Sequence, residues 1–279
     1  MAAKIKWTEE KIAQLERDGR GKGTGASYKP WIRVSDFSSQ GISRRVFSQK
    51  SGRHHELLSN VEWQFFLLLE FSREVADIRE QFPLPREETL SFAAKLGIKH
   101  PVYPGTRINA VMTNDFLVKF IRNGVTNLEA FSCKTASDLE NPRVLEKLEL
   151  ERIFFDYLGI PHRLVINSEL PFNKVNNILW FRGAVLDDNG WAERPECMAE
   201  HGRRMAHELS RAPGRGSLAQ FCANFDARIG AQPGTGLLVA RALLWEGTLL
   251  TDLNQPDLPA TPVTMFRVAQ APSLRVVGA

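Results

Sequence analysis

Residues 111–135 read VMTNDFLVKFIRNGVTNLEAFSCKT, two apolar-rich runs on either side of Asn123-Gly124. Asn-Gly is favoured in two-residue hairpin turns because both central positions need a left-handed backbone. With those residues as the turn, Arg122 faces Val125 and, toward the open end, Asp115 faces Ser132. Directly opposed side chains of an antiparallel pair share a face, as do alternate residues of one strand. Asp115, Ser132 and Lys134 are therefore expected on one face. A slip of one residue in the turn would separate them.

The flanking segments supply the rest of an α/β layout. Upstream, SNVEWQFFLLLEF (59–71) carries Val61, Phe65, Leu68 and Leu69 at helical spacing, with Phe66 widening the stripe. VADIREQFPL follows as a strand ending at Pro83. Downstream, Asn141 is placed as a cap, Pro142 as the first helical residue and Gly159 as the stop, and HRLVIN (162–167) reads as a short strand. TEEKIAQLERD (8–18) predicts a helix broken by the glycines of 19–25. Past residue 170 the chain reads as three helices, in ECMAEHGRRMAHELSR, SLAQFCANFDARIG and GLLVARALLWEGTLL, with a break at APGRG (212–216) and a final strand in VTMFRVA. The expected architecture is a mixed central sheet flanked by helices over 1–170, then a small, mainly helical domain over 171–279.

A chain of 279 residues with 43% hydrophobic and 24% charged residues has the composition of a folded globular protein. No apolar h-region follows Met1, so no secretory signal is expected, and the cluster 65–69 is too short to span a bilayer. Cys133, Cys197 and Cys222 are odd in number and form no CxxC pair, which points to reduced thiols and away from a zinc ribbon. The net charge of +4 is uneven: residues 1–55 hold 12 lysines and arginines against 5 acids, and the remainder is slightly acidic. Arg20, Lys22, Lys29, Arg44, Arg45, Lys50 and Arg53, interleaved with glycines and aromatics, are the candidate phosphate contacts. The same composition fits a solvated N-terminal arm. His54, His55 and His100 lack partners at metal-ligand spacing and are expected to meet phosphate or solvent. Gly21-x-Gly23-x-Gly25 is no dinucleotide fingerprint, since no strand precedes it.

A carboxylate on one strand with a lysine on the next suits phosphodiester hydrolysis. The acid is a hard ligand for Mg²⁺, and the lysine can orient or help deprotonate the attacking water and stabilise developing negative charge. One acid holds a metal poorly, and Glu62, turned toward the protein body by its apolar neighbours, is the candidate second. Each residue has a plainer reading. Ser59-x-x-Glu62 fits a capping box, Asp115 fits a strand edge, and Lys134 fits a solvated strand end.

Taken together, LLSNVEWQFFLLLEF, SREVADIREQFPL, GIKHPV, MTNDFLV, SCKTA, RVLEKLELER and, near the N-terminus, GRGKGTGASYKPW resemble the TnsA family in order and spacing over about residues 10–170. The resemblance implies a restriction-endonuclease-like fold for 1–170 and a winged-helix character for 171–279. It implies Glu62 as a helix-borne metal ligand, Asp115 as the ligand shared by metal and scissile phosphate, Lys134 as the residue placing the water, and the backbone carbonyl of Cys133 as a further ligand. Glu151 matches a supporting acid, with a solvated helix-face charge near Lys147 as the alternative. Ser132 departs from the pattern, because the position two before the lysine is usually Glu, Asp or Gln; a serine ligates Mg²⁺ weakly or through water. The implied function is Mg²⁺-dependent cutting of the 5′ strand at transposon ends, with Mn²⁺ able to substitute. The implied partners are double-stranded DNA, a DDE-type transposase and an ATPase regulator contacted through 171–279, in a bacterial cytoplasm. A nuclease acting alone and a catalytically degenerate scaffold are the rival readings.

Overall fold

The computed structural model describes residues 5–36, 42–185, 195–211 and 214–269. The chain divides into two compact units, Met1–Leu170 and Pro171–Ala279. Among the described residues, no helix is long and apolar enough to cross a membrane.

The first unit is built on a four-stranded sheet in the order β3 (Val75–Pro83), β4 (Thr113–Arg122), β5 (Val125–Lys134), β6 (His162–Ile166). The first three strands are antiparallel and β6 joins β5 in parallel, so the sheet is mixed. The β4–β5 turn falls on Asn123 (φ 51°) and Gly124 (φ 77°), both left-handed, and the register runs from Arg122 opposite Val125 to Phe116 opposite Phe131. Helix α2 (Asn60–Phe71), capped by Ser59, covers one face, where Phe65 meets Phe116 and Phe131. The other face packs Leu117 and Ala130 against Leu150, Phe154 and Phe155 of α4 (Pro142–Tyr157), which Asn141 caps, and against Ala93 of α3 (Arg86–Leu96).

Around this core the N-terminal segment is anchored rather than loose. Helix α1 (Glu9–Arg17), capped by Thr8, buries Ile12 and Leu15 with Trp7, Trp31, Tyr103 and Val111. Gly21 lies so close to Pro83 that a Cβ there would come within 2.2 Å of the proline ring, and its φ is +77°, so the glycine is required by contact and by backbone alike. The ribbon of β1 (Arg44–Ser48) and β2 (Arg53–Leu57) forms a separate antiparallel pair. The outer edge of β3 is closed by groups that are not a strand: Arg53 donates to Ile78 O, Tyr28 Oη to Glu80 O, and Trp31 N to Gln81 O. Unpaired strand edges are thereby satisfied.

The second unit holds α5 (Phe172–Val185), α6 (Pro195–Arg211), α7 (Leu218–Ile229) and α8 (Thr235–Glu246), with α8 packed against the other three. Asp226 of α7 accepts from the N–H groups of Gly234 and Gly236 and so caps α8. The only sheet among the described residues of this unit pairs β7 (Leu249–Leu250) with β8 (Arg267–Val268).

Three elements were not read from sequence: the β1–β2 ribbon, α3 and α5. The expected terminal strand over 263–269 is a 3₁₀ turn at Val263–Met265 followed by only Arg267–Val268 in strand. The break read at 212–216 falls partly on 212–213, outside the described residues.

Candidate active site

The antiparallel register of β4 and β5 ends at Phe116 and Phe131. One residue further on, the Asp115 carboxylate takes over: its Oδ2 accepts from Cys133 N at 2.6 Å and from Lys134 Nζ at 2.9 Å. Lys134 Nζ also donates to Cys133 O at 2.9 Å, so the ammonium sits between a carboxylate and a main-chain carbonyl. Burial alone would lower the Lys134 pKa, but Asp115 and Glu151 outweigh it and hold the ammonium charged. In this arrangement Lys134 is a fixed positive charge, unable to serve as a proton acceptor near neutral pH.

Glu62 reaches the same place from α2. It is 4% exposed, and its Oε2 accepts from Leu58 N at 2.9 Å and Gln81 Nε2 at 3.2 Å, while its own N–H goes to Ser59 Oγ. The cap of α2 is thus made by the Ser59 side chain, while the Glu62 carboxylate takes the N–H of Leu58, one residue before that cap. Burial, and then the charge of Asp115, raise its pKa to about 8.

Glu151 of α4 is buried, at 7% exposed, which overturns the alternative of a solvated helix face. Burial and Asp115 raise its pKa to about 7. Its Oε2 accepts from Ser132 Oγ at 2.6 Å and Asn114 Nδ2 at 3.0 Å. Ser132, fully buried, also accepts from Asn114 Nδ2 at 3.0 Å and lies 2.8 Å from His162 Nε2. Burial lowers the His162 pKa to about 4 against the pull of Asp115, so the ring is neutral. When that ring carries its proton on Nε2, the single donor and both lone pairs of the Ser132 hydroxyl are used. Ser132 holds Glu151 in place through its own donated hydrogen bond, and in that tautomer its oxygen has no lone pair left for a metal ion.

The described hydrogen bonds fall on one oxygen of each acid, Asp115 Oδ2, Glu62 Oε2 and Glu151 Oε2. Asn114 Oδ1 is buried with no hydrogen-bond partner among the described residues, an orphaned hard oxygen beside the acids. Cys133 keeps its thiol buried and, through burial first, strongly protonated; its contribution here is main-chain. The cysteines are all unpaired. Gln81, Asn114 and His162 are the residues of this cluster that sequence reading missed. Gln81 stands in a left-handed backbone (φ 47°), which nothing in its sequence announces.

The basic candidates divide. Arg20 forms a buried ion pair with Asp36, Arg53 forms a bidentate pair with Glu80 (2.8 and 2.6 Å), and Lys50 donates to Leu69 O, Ser72 O and Val75 O at the end of α2. These three are structural, because each inward-facing cation is satisfied by a protein oxygen. Arg44 lies over the Trp63 ring, while Lys22, Lys29 and Arg45 are exposed. His55 is fully buried, donating from Nδ1 to Glu80 at 2.7 Å with Ser51 Oγ 2.7 Å from Nε2. His100 is buried against Thr89 and Pro101 O. Neither His55 nor His100 meets phosphate or solvent, contrary to expectation. His54 is exposed.

Residues 72–167 match the family model described as TnsA-like endonuclease N terminal. That span runs from the start of β3 to the end of β6 and includes Asp115, Lys134 and Glu151. The chain is also 36% identical over 245 residues to the transposon Tn7 transposition protein TnsA of Escherichia coli, covering 88% of this chain and 86% of that protein. Likeness of that extent, running through both units, places the chain in the TnsA family of transposition endonucleases.

Proposed function

We propose that the chain hydrolyses a phosphodiester of the 5′ strand at each transposon end, as a Mg²⁺-dependent subunit of a cut-and-paste transposase, with a restriction-endonuclease-like first unit. The observation that carries this reading is the contact of Lys134 Nζ with Asp115 Oδ2 and Cys133 O, with Glu62 and Glu151 close enough for Asp115 to raise both their pKa values.

The donor set suits Mg²⁺. Among the described residues, no three His, Cys, Asp or Glu side chains are grouped to cage a metal by themselves. Mg²⁺ does not need that: it keeps several waters and is held by one or two carboxylates. Asp115, Glu62 and the Cys133 carbonyl would hold it, with Mn²⁺ able to substitute. Bound there, the ion supplies charge neutralisation at the phosphate and a water of lowered pKa. Asp115 would hold that ion beside the scissile phosphate. Lys134, held charged by Asp115 and Glu151, meets the negative charge that develops on the phosphoryl oxygens as the water, its proton passing to solvent, adds to phosphorus and the P–O bond breaks, the leaving oxygen taking a proton from solvent. Glu151, fixed by Ser132, Asn114 and His162, keeps a carboxylate against this group from the α4 side.

Double-stranded DNA at transposon ends is the substrate, and a DDE-type transposase cuts and joins the other strand. The second unit, with β7–β8 in the place of a wing, contacts an ATPase regulator. The test is a strand-resolved cleavage assay on a transposon-end duplex with the transposase present or omitted. Wild type should cut the 5′ strand only with Mg²⁺ and partner. Asp115→Ala and Lys134→Ala should each lose at least about 100-fold in rate while still assembling. Undiminished cutting by both variants would leave a scaffold, and efficient cutting by the purified chain would leave a nuclease acting alone.

A further inference from the structure

A cleft of about 590 Å³ opens between the loop that carries Lys29 and Arg33 and the β1–β2 ribbon. Lys29, Arg33, Arg45 and His54 line its walls, and Arg53 and Glu56 its floor. The charges do not cancel. Arg53 is neutralised by Glu80. Glu56 is the one acid, and its Oε2 accepts from Val34 N at 3.0 Å. Against it stand three cations: Lys29, whose ammonium donates to the Asp18 carbonyl, Arg33, with no carboxylate partner among the described residues, and Arg45, 64% exposed and 3.4 Å from Glu56. A concave site with a surplus of two positive charges, two of the three cations being guanidinium forks, is built for a phosphate-type anion.

The cleft is tied to the catalytic acids by one strand. Arg53 and Glu56 lie on β2, which ends at Leu57, and the next residue, Leu58, gives its N–H to Glu62. At about 3.3 Å per residue, the path from the cleft floor to Leu58 is roughly 7–17 Å. One strand of B-DNA advances about 3.4 Å along the axis per phosphate. We infer that this cleft binds a backbone phosphate of the duplex about two to five nucleotides from the cut. It would thereby set which phosphodiester reaches Asp115. The nucleotide spacing rests on the endonuclease reading; the anion site rests on the cleft alone.

The experiment uses the full-length chain and a duplex carrying the cut site, read by fluorescence anisotropy across a salt series and by a methylphosphonate scan, which neutralises one phosphate at a time. Arg33→Ala/Arg45→Ala should weaken binding about 10-fold and flatten the slope of log affinity against log salt by about 1–2. A neutralised phosphate two to five nucleotides from the cut should weaken wild type and leave the double variant unaffected. Undiminished cutting by Asp115→Ala beside an intact wild-type footprint would sink the endonuclease reading while leaving the phosphate site standing. No measurable wild-type binding, or unchanged affinity and salt slope in the double variant, overturns the site. So does loss of transposase capture with DNA binding intact, which would make the cleft a seat for an acidic protein segment.

Discussion

Glu62 receives the Leu58 N–H and the Gln81 amide on a single oxygen while buried beside Asp115. An acid whose pKa rises to about 8 on folding ionises earlier in the unfolded chain, where its ordinary value is 4.5. The folded state is thus most favoured below that ordinary value and loses this part of its stability as pH climbs through about 8. Glu62→Gln keeps an oxygen for both donors and removes the ionisation. In metal-free buffer near pH 8 it should melt roughly 2–4 °C above wild type, with the gap shrinking as pH falls toward 4.5, and it should be inactive. A variant that melts lower at every pH would show that the carboxylate serves the helix start alone. From the sequence, the spacing Ser59-x-x-Glu62 offered a capping box and an active-site acid as competing readings; Ser59 does cap the helix, but the Glu62 carboxylate takes the Leu58 N–H instead of closing the box and lies buried beside Asp115. Asp115 and Lys134 were legible as a pair because the turn fixed their register. Asn114, Gln81 and His162 were not, since each gains its place from a packing partner remote in the chain.

The β4–β5 hairpin illustrates why some elements can be read locally. Its turn dipeptide, its apolar runs and its register all lie within 25 residues of contiguous sequence (111–135). Gly124 stands at φ 77° with open space where a Cβ would go. Gly124→Ala should therefore cost about 1 kcal/mol in denaturant unfolding from backbone strain alone. Strand cleavage should stay at the wild-type rate, because Phe116 and Phe131, packed on Phe65, hold the register independently. A collapse of activity in that variant would mean the turn alone keeps Asp115 opposite β5. The β1–β2 ribbon is the opposite case. RRVFS and RHHEL show no apolar alternation, and what buries Arg53 and His55 is a glutamate on β3. Helix α3 likewise starts at Arg86, with Pro85 at the cap position offering no side-chain cap.

At the scale of the molecule, the basic N-terminal segment is a mixture of two populations. Composition counts charges without their partners, so the surplus over 1–55 read as a phosphate-facing arm, whereas Arg20, Lys50 and Arg53 point inward and tie that segment to the sheet. Glu80 is the hub. Burial would raise its pKa, but His55 and Arg53 outweigh burial and bring it to about 2. An acid depressed on folding stabilises the protein above its ordinary value and ceases to do so as pH falls through the folded one. Glu80→Gln should lose about 3–5 kcal/mol at neutral pH, read by chemical denaturation, and the deficit should fade between pH 4.5 and about 2. A neutral-pH deficit below about 1 kcal/mol would mean the network contributes little. The closure of the β3 edge by Arg53, Tyr28 and Trp31 has one more consequence. No further chain can zipper onto that side of the sheet, whether a second copy or a misfolded neighbour, without first pulling a buried guanidinium off its glutamate. That border is shut against the strand-to-strand stacking by which open sheets grow into aggregates.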